Sequence, residues 1–415
     1  MNRNYKILLL ENIHPIAKQL LEERGHQVEL QKSALSASEL DEILAQFDVL
    51  GIRSKTEIRR PLLLKHKHLL AIGCFCIGTN QVDLLDARLQ GIPVFNAPHS
   101  NTRSVAEMVV AEIIALSRNL FDRSMQAHQG KWVKTASGSF EVRGKTVGIV
   151  GYGHIGSQVS VLLEGLGMKV IFYDIVKKLP IGNAKPVATL NDLLRQSDFV
   201  TLHVPATPQT KNMIAEPQLL QMKKGSYLLN LSRGNVVDVD ALARFLKNGH
   251  LAGAAIDVFP VEPKSNDEVF VSPLQGLKNV ILTPHIGGST EEAQEAIGRE
   301  VARSFIEFLN HGSTIGAVNF PQAFLAPSAK AKVRLLNVHK NEPGVLGNIN
   351  HRIGKLGGNI VGQSLVTDEQ IGYTIIDIEG LEDTQELQTV LEVDFPQSIR
   401  SRLVLLTGPN DCCDN

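Results

Sequence analysis

Four polar residues follow three apolar runs in the middle of the chain. Arg233 comes after "GSYLLN", Asp257 and Glu262 after "GAAI", and His285 after "NVILTP". If these runs are strands of one open α/β sheet, their carboxyl ends share the edge where such sheets bind ligands. There a histidine can take the proton of a substrate hydroxyl, a nearby carboxylate raises its pKa, and a guanidinium holds a substrate carboxylate. Each residue alone also fits a solvated loop or turn, but together they predict a hydroxy-acid dehydrogenase site.

A glycine-rich stretch, "GIVGYGHIG", places Gly151, Gly153 and Gly156 in a G-x-G-x-x-G pattern between a predicted strand and a predicted helix. Glycines there permit a tight turn and close approach of the backbone to a pyrophosphate, which the helix N–H groups would bind. The next predicted strand ends in Asp174, about 20 residues after the last glycine, where a carboxylate accepts the ribose hydroxyls. It also repels a 2′-phosphate, so the pattern predicts NAD rather than NADP, although two lysines follow it closely.

Apolar runs alternate with helical patterns from the start of the chain, and the second predicted helix begins after a serine cap at Ser36. This order recurs from "KTVGIVGYG" to "NVILTPH" and predicts parallel sheets. Long helices are predicted over 103–130 and 291–312, the second closed by Gly312. After a linker rich in Ala, Pro and Ser over 323–332, the order βαββαβ predicts a small ferredoxin-like domain.

Composition excludes several classes of protein. The 415 residues carry a formal net charge of −1, so no general attraction to nucleic acid or anionic membrane is expected. The four cysteines have neither zinc-finger nor redox spacing, and no apolar segment has the length of a membrane span. We therefore expect a reduced, cytoplasmic protein without a metal.

The stretches "GYGHIG", "NLSRGNVVD", "GAAIDVFPVEP" and "LTPHIGGST" resemble the D-isomer-specific 2-hydroxyacid dehydrogenases. The likeness covers nearly the whole chain. It implies a Rossmann-type nucleotide-binding domain over 101–287, inserted in a flavodoxin-like substrate domain over 1–100 and 288–325, and a C-terminal ACT domain over 332–407. By the resemblance, the catalytic residues are Arg233, Glu262 and His285. The implied cofactor-binding residues are Gly151, Gly153, His154, Ile155, Gly156, Asp174, Leu231, Ser232, Arg233, Asp257, His285, Gly287 and Gly288.

The stretches "CFCIGTN" and "HKNEPGVL" resemble the members of the family that act on 3-phosphoglycerate. The likeness implies oxidation of D-3-phosphoglycerate to 3-phosphohydroxypyruvate, the first step of L-serine biosynthesis, and a side reduction of 2-oxoglutarate to 2-hydroxyglutarate. A phosphorylated substrate needs local positive charge, which basic residues near two predicted loops supply, although the lysines are equally compatible with ordinary solvated charges. The predicted substrate residues are Arg53, Ser54, Lys55, Gly78 and Lys134, with Lys131 close to the last.

The C-terminal block offers donors and acceptors that suit an amino acid, since amide side chains and a helix N-terminus bind its carboxylate and amine. The resemblance implies feedback inhibition by L-serine, bound by His339 and Asn341 of one chain and Asn359 of its neighbour in a homotetramer. A dimerisation module without a ligand is the alternative. The linker over 323–332 lacks the glycine pair that bacterial members commonly have, so we expect weaker or less cooperative inhibition.

Two other functions compete with this one. The chain could be another D-2-hydroxyacid dehydrogenase on the same scaffold, or an NAD-sensing binding protein of the corepressor type. Corepressors of this fold can keep Arg233, Glu262 and His285, so these residues do not exclude them. The ACT-like block and the basic residues favour a metabolic enzyme, and a turnover assay separates all three.

Overall fold

The computed structural model describes residues 4–263, 267–381, 387, 389 and 395–406. The chain forms two compact units, one of Met1–Ser100 with Gln294–Asn415 and the other of Asn101–Ala293. The finer boundaries implied by the resemblance, at 287, 325 and 332, stay predictions. None of the helices in the described ranges is both long enough and apolar enough to cross a membrane.

The first hundred residues form a parallel sheet of apolar strands. Its strands are β1 (Lys6–Leu9), β2 (Gln27–Leu30), β3 (Val49–Ile52), β4 (Ala71–Cys74) and β5 (Val94–Asn96), in the order β2-β1-β3-β4-β5. The helices are α1 (Pro15–Glu23), α2 (Ala37–Ile43), α3 (Arg60–Lys65) and α4 (Leu84–Leu89). Ser36 caps α2 as predicted, because its hydroxyl accepts from Glu39 N while the Glu39 carboxylate accepts from Ser36 N. Every residue of β3 and β4 is buried, as runs without polar alternation predict for parallel strands.

The second unit holds a seven-stranded parallel sheet. Its helices are α5 (Thr102–Arg118), α6 (Leu120–His128), α7 (His154–Gly165), α8 (Leu190–Gln196), α9 (Glu216–Gln221) and α10 (Val239–Lys247). Its strands are β6 (Thr146–Val150), β7 (Lys169–Tyr173), β8 (Lys185–Pro186), β9 (Phe199–Leu202), β10 (Ser226–Asn230), β11 (Leu251–Ile256) and β12 (Val280–Leu282). The order β12-β11-β10-β9-β6-β7-β8 reverses direction at β6, which is the switch point where such sheets bind ligands.

The last part of the chain begins with the long helix α11 (Glu291–His311), which Gly312 ends in the left-handed region at φ 73° as predicted. There follow β13 (Val333–Lys340), α12 (Val345–Lys355), β14 (Asn359–Thr367), β15 (Ile371–Glu379) and β16 (Ser398–Leu405), in the antiparallel order β14-β15-β13-β16. The helix predicted over 383–393 lies outside the described residues except for Leu387 and Thr389, both helical, and so do Cys412 and Cys413. The parallel sheets and this antiparallel sheet confirm the predicted fold class.

The single helix predicted over 103–130 is wrong, because Asn119 divides it into α5 and α6. Asn119 lies in the left-handed region at φ 47°, and its side-chain amide donates to Gly138 O at 2.6 Å. Asparagine tolerates this conformation better than other residues with a side chain. A basic residue in the last turn followed by Asn is a helix-stop signal that the apolar periodicity hid.

The linker over 323–332 has no helix or strand, as predicted, but it is fixed at several points. Ala323 is 1% exposed, and its N–H donates to Thr314 Oγ1 at 2.8 Å. Further along, Ser328 N donates to Asp377 Oδ2 at 2.9 Å. Asp377 also forms a fully buried ion pair with Arg334, at 2.7 Å between Nε and Oδ1. The linker is therefore tied to β15 before β13 begins.

The C-terminal sheet covers the end of α11 within the first unit. Arg334 donates to His311 O, Tyr373 to Gly312 O, and Arg402 to the carbonyls of Phe308 and Leu309. These carbonyls belong to the last turn of the helix and to Gly312, where few helical N–H donors remain, and cations there also complement the helix dipole.

Candidate active site

His285 lies at the carboxyl end of β12 with an unusual backbone. Its φ is 56°, in the left-handed region, which a residue with a side chain adopts only when its surroundings hold it there. Its N–H donates to Asp257 O at 2.8 Å and approaches Thr283 O at 3.0 Å. The loop therefore presents the imidazole at the edge of the sheet, where its side chain is 51% exposed.

The imidazole is hydrogen-bonded to Glu262, at 2.8 Å between Nδ1 and Oε2. The second carboxylate oxygen accepts from Phe259 N at 3.0 Å. Burial alone would raise the pKa of Glu262, but these two hydrogen bonds and the charges of His285 and Arg233 outweigh it and lower that pKa. An ionised carboxylate only accepts, so Nδ1 carries the proton and Nε2 can accept one.

The same hydrogen bond raises the pKa of His285 above its ordinary value. Burial lowers that pKa, the negative charges of Glu262 and Asp257 raise it further, and the positive charge of Arg233 lowers it. The pair is thus a base whose protonated form is stabilised. Such a histidine can receive a hydroxyl proton and hold it as the imidazolium.

Arg233 follows β10 and is held through its backbone. The amide of Asn230 donates to Arg233 O at 3.0 Å, and Arg233 Nη1 donates to Ser232 O at 2.6 Å. Gly234 comes next, and a Cβ there would overlap the backbone of Phe259. This glycine lets the turn after β10 approach the turn after β11, where Glu262 lies. Arg233, Glu262 and His285 follow β10, β11 and β12, which are neighbouring parallel strands, so the three predicted catalytic residues lie at the same edge of the sheet.

The glycine-rich turn has the expected form. Gly151 has φ 90°, and a Cβ there would overlap His203 O; a Cβ at Gly156 would overlap Gly151 O. Gly153 precedes the first residues of α7, His154 and Ile155, and its Cβ position meets open space. Two of the glycines are thus required by the turn, and the third leaves room at the helix N-terminus for an anion.

Asp174 lies at the end of β7, beside this turn. Its carboxylate accepts hydrogen bonds from Tyr152 N at 2.8 Å and Val176 N at 2.9 Å. The side chain is therefore oriented by the backbone before any ligand binds. Its position next to the glycines fits the predicted contact with ribose hydroxyls.

The remaining predicted cofactor residues line the same edge of the sheet. Leu231 and Ser232 are buried, and Ser232 is fixed through two hydrogen bonds to Asn230 Oδ1. Gly287 and Gly288 have packing reasons as well, since a Cβ on them would press against the side chains of Asp257 and Asn101 respectively.

In the other unit, the structure brings together Arg53, Ser54, Lys55 and Gly78. Gln81 Nε2 donates to Arg53 O at 2.5 Å and to Gly78 O at 3.2 Å, and so joins the two predicted substrate loops. Lys134 lies in the second unit, in an exposed segment whose carbonyls at Val133 and Thr135 accept from Arg123; Lys131 is exposed in the same segment.

Glu11 is a residue that the sequence pattern did not single out. It is 7% exposed, has φ 64°, and its carboxylate accepts from the backbone N–H groups of Arg53, Lys55 and Thr56 at 2.8–3.1 Å. It therefore orders the basic loop from the end of a strand far away in sequence. An acid directly after an apolar strand was the available signal.

Two further polar residues were missed in the second unit. Asn230 is completely buried at the end of β10 and fixes Ser232 and Arg233, as described above. Glu112 lies in α5 with 4% exposure, and burial together with the charge of Asp257 raises its pKa to about 8. A glutamate within an amphipathic helix gives no sequence sign of burial.

The three predicted serine ligands lie apart in the C-terminal sheet. His339 is 2% exposed, and its Nδ1 is hydrogen-bonded to Asn337 Oδ1 at 3.0 Å, so its ring meets a ligand only if the strand end rearranges. Asn341 is exposed and donates to Asp368 O at 2.7 Å. Asn359 is exposed at the opposite end of the sheet and donates to Glu379 at 2.8 Å.

Comparison with known proteins identifies the family. The model of the D-isomer specific 2-hydroxyacid dehydrogenase NAD binding domain matches residues 110–287. The D-3-phosphoglycerate dehydrogenase of Dictyostelium discoideum is 51% identical over 399 residues, 96% of this chain and 97% of that protein. The chain belongs to the D-isomer-specific 2-hydroxyacid dehydrogenases. The D-3-phosphoglycerate dehydrogenase of Escherichia coli strain K12 is also 51% identical, over 400 residues with the same coverage of 96% and 97%.

A solved member of the family supports the cofactor assignment. The D-lactate dehydrogenase of Aquifex aeolicus, complexed with NAD and lactic acid, matches with a TM-score of 0.64 and 28% identity, covering 73% of this chain and 95% of that one. The chain is an NAD-dependent oxidoreductase. The open position at Gly153 and the oriented carboxylate of Asp174 fit NAD. Within the described residues there is no cluster of three or more His, Cys, Asp or Glu side chains that could hold a metal ion.

Proposed function

We propose that the chain oxidises D-3-phosphoglycerate to 3-phosphohydroxypyruvate with NAD, the first step of L-serine biosynthesis. The hydrogen bond between His285 and Glu262, beside Arg233, is the observation that carries this proposal. The choice of substrate is supported by relatives of that name, about half identical over nearly the full chain.

In the proposed reaction, His285 Nε2 takes the proton of the substrate hydroxyl, and the imidazolium is stabilised by Glu262. Arg233 holds the substrate carboxylate with two hydrogen bonds and polarises the neighbouring oxygen as the carbonyl forms. Bound NAD would supply the acceptor for the hydride that leaves the carbon bearing the hydroxyl. Asp174, Leu231 and Ser232 are proposed to hold the cofactor, together with the glycine-rich turn.

The substrate phosphate is assigned to the basic loop of the first unit. Arg53 and Lys55 follow a buried strand, and the Glu11 carboxylate fixes the backbone of their loop. Ser54, Gly78 and Lys134 complete the proposed substrate set. A pre-ordered loop lowers the entropy cost of binding a charged ligand.

A turnover assay tests the proposal directly. Formation of NADH from 3-phosphoglycerate, at a rate far above that with lactate or other unphosphorylated hydroxy acids, is the expected result. Turnover only with an unphosphorylated acid would make the chain another D-2-hydroxyacid dehydrogenase. Tight NADH binding with no turnover on any hydroxy acid would favour the corepressor-like alternative. The same assay run in reverse with 2-oxoglutarate and NADH tests the proposed side reaction.

The proposed regulation is feedback inhibition by L-serine through the C-terminal domain, which we interpret as an ACT domain. Asn341 follows the residue paired with Ile371 on β15, whereas Asn359 is paired with Glu379 at the other end of that strand. At about 3.4 Å per residue they lie roughly 27 Å apart along the strand. A serine contacting both amides therefore requires two chains, and β14 is an edge strand that can pair with a second copy in a homotetramer.

Calorimetric titration of serine beside a rate assay tests this regulation. The tied linker and the absence of glycine in it support weaker or less cooperative inhibition than in members with a glycine pair. Steep, complete inhibition would show that the linker needs no glycine pair. If serine does not bind, the C-terminal domain would be interpreted as a module for subunit assembly only.

A further inference from the structure

His285 needs support that its own side-chain contacts do not supply. A residue with a side chain at φ 56° is in a conformation that is unfavourable by itself, so neighbouring groups must fix the loop. The hydrogen bond to Glu262 fixes the ring but not the backbone. The backbone of residues 283–287 must therefore be held by another group.

Asp257 accepts hydrogen bonds from most of the donors in that loop. Its carboxylate is 1% exposed, and its Oδ1 accepts from Thr283 Oγ1 at 2.6 Å and from Ile286 N at 2.8 Å. Its Oδ2 accepts from Gly287 N at 2.9 Å, and its own carbonyl accepts from His285 N at 2.8 Å. One residue at the end of β11 thus contacts the loop on both sides of His285.

Thr283 differs from the other three donors to Asp257, because it donates from its side chain and they donate from the backbone. Thr283 lies between the end of β12 and Pro284, and its hydroxyl donates to the same oxygen that accepts from Ile286 N. A valine has nearly the same shape, so it would remove this one hydrogen bond without removing any other donor or acceptor of the loop.

We propose that Thr283 is a positioning residue for the base: through Asp257, its hydroxyl locks the loop in the backbone conformation that sets the His285 ring against Glu262. Thr283 does not touch the reacting atoms in this proposal. It acts on the distance and angle of the His285–Glu262 hydrogen bond. The inference rests on the proposed function in that His285 serves as the base.

The alternative role for Asp257 is the contact with the cofactor assigned above. The two roles make different predictions for Thr283. If Asp257 served the cofactor alone, loss of the Thr283 hydroxyl would leave the imidazole unchanged. If the loop depends on the pair, loss of the hydroxyl loosens His285 from Glu262 and lowers the pKa of the imidazole, because the Glu262 hydrogen bond is what raises it.

The test compares Thr283→Val with Thr283→Ser in the full chain. Valine should lower turnover about tenfold, the equivalent of one lost hydrogen bond of about 1.4 kcal/mol, with NADH affinity unchanged in a fluorescence titration. The acid limb of the pH profile for oxidation should move to lower pH. Serine keeps the hydroxyl and should restore both turnover and profile.

An NMR titration of the His285 ring makes the test independent of turnover. The pKa of His285 should be lower in Thr283→Val than in the parent and in Thr283→Ser. Equal values in all three would overturn the positioning role, and so would parent-like turnover in the valine variant. A loss of turnover without a change in pKa or pH profile would indicate mere destabilisation and would also overturn it. If the parent itself turns over no hydroxy acid, the proposed function fails, while the titration still decides the role of Thr283.

Should the valine variant fold poorly, Thr283→Ala provides the second measurement. It also removes the hydroxyl but keeps the charge of Asp257, which itself raises the pKa of His285, so a lower pKa in this variant reports the lost hydrogen bond. An unchanged pKa in Thr283→Ala would overturn the proposal by itself.

Discussion

The parallel sheet of the second unit and the antiparallel sheet near the C-terminus place their polar residues differently. In the parallel sheet, Arg233, Glu262 and His285 come from three successive strand ends and converge on one edge. In the antiparallel sheet, Asn341 and Asn359 lie at opposite ends of the same neighbouring strand. A parallel sheet therefore assembles a site within one chain, whereas this antiparallel sheet can combine its two ends only through a second copy.

The two regions also differ in what their charged pairs contribute. The His285–Glu262 pair is 51% and 35% exposed and remains open to a ligand. The Arg334–Asp377 pair is 0% exposed on both sides and holds strand, linker and helix end together. The first pair is proposed to transfer a proton and the second stabilises the structure, so removing a member of each should have different consequences.

The largest effect is expected from His285→Ala. Turnover should fall by roughly 10²–10⁴, the usual contribution of general acid–base catalysis, while NADH still binds and the unfolding midpoint stays close to that of the parent. Steady-state rates and a fluorescence titration of NADH measure the two parts. Near-parent turnover would remove His285 from the role of base.

The opposite result is expected in the C-terminal region for Arg334→Met. This change leaves Asp377 buried without its partner and should lower the free energy of unfolding by about 3–5 kcal/mol in a denaturant titration. Lys18→Met is the matched control, because the Lys18–Glu22 pair is exposed and should contribute under about 1 kcal/mol. If both variants lost the same free energy of unfolding, burial of the Arg334–Asp377 pair would not increase its contribution to stability.

Sequence reasoning reached the active-site edge because the strands are continuous apolar runs and each is followed at once by a polar residue. It missed Asn230 and Glu112, since their burial depends on contacts with segments distant in sequence, and it missed Glu11 although an acid directly after an apolar run was a local signal. Asn119 had a local stop signal, but the apolar periodicity on both sides of it outweighed that signal. Buried polar residues that support a site are therefore harder to predict than the residues that form it.

The His285–Glu262 pair should also determine the pH dependence. The hydrogen bond that His285 donates to Glu262 raises the pKa of His285, and oxidation needs the neutral imidazole. Glu262→Gln should therefore move the acid limb of the kcat/KM profile to lower pH, with a lower maximal rate because the imidazolium loses its counter-charge. An unchanged profile would mean that the hydrogen bond is not maintained in the working enzyme.

Cofactor choice offers a smaller effect. Asp174→Ala removes the ribose acceptor and the charge that repels a 2′-phosphate, so the preference for NAD over NADP should relax about tenfold or more. Lys177→Ala serves as the control for the neighbouring positive charge and should not weaken the preference for NAD. If Asp174→Ala kept the preference for NAD over NADP, a group other than Asp174 would determine that preference.

The smallest effect is expected for the proposed serine site, and it tests the contrast between the two sheets most directly. Asn341→Ala and Asn359→Ala should each lower the affinity for serine about tenfold, with turnover intact, because each removes one hydrogen bond to the ligand. Mixing the two variants so that their subunits exchange then separates a site within one chain from a site between two chains. In a mixed pair of subunits, one of the two sites contains an intact Asn341 from one chain and an intact Asn359 from the other, so part of the high-affinity binding should return in calorimetry. Sites confined to single chains would each carry one of the changes, and mixing would restore nothing.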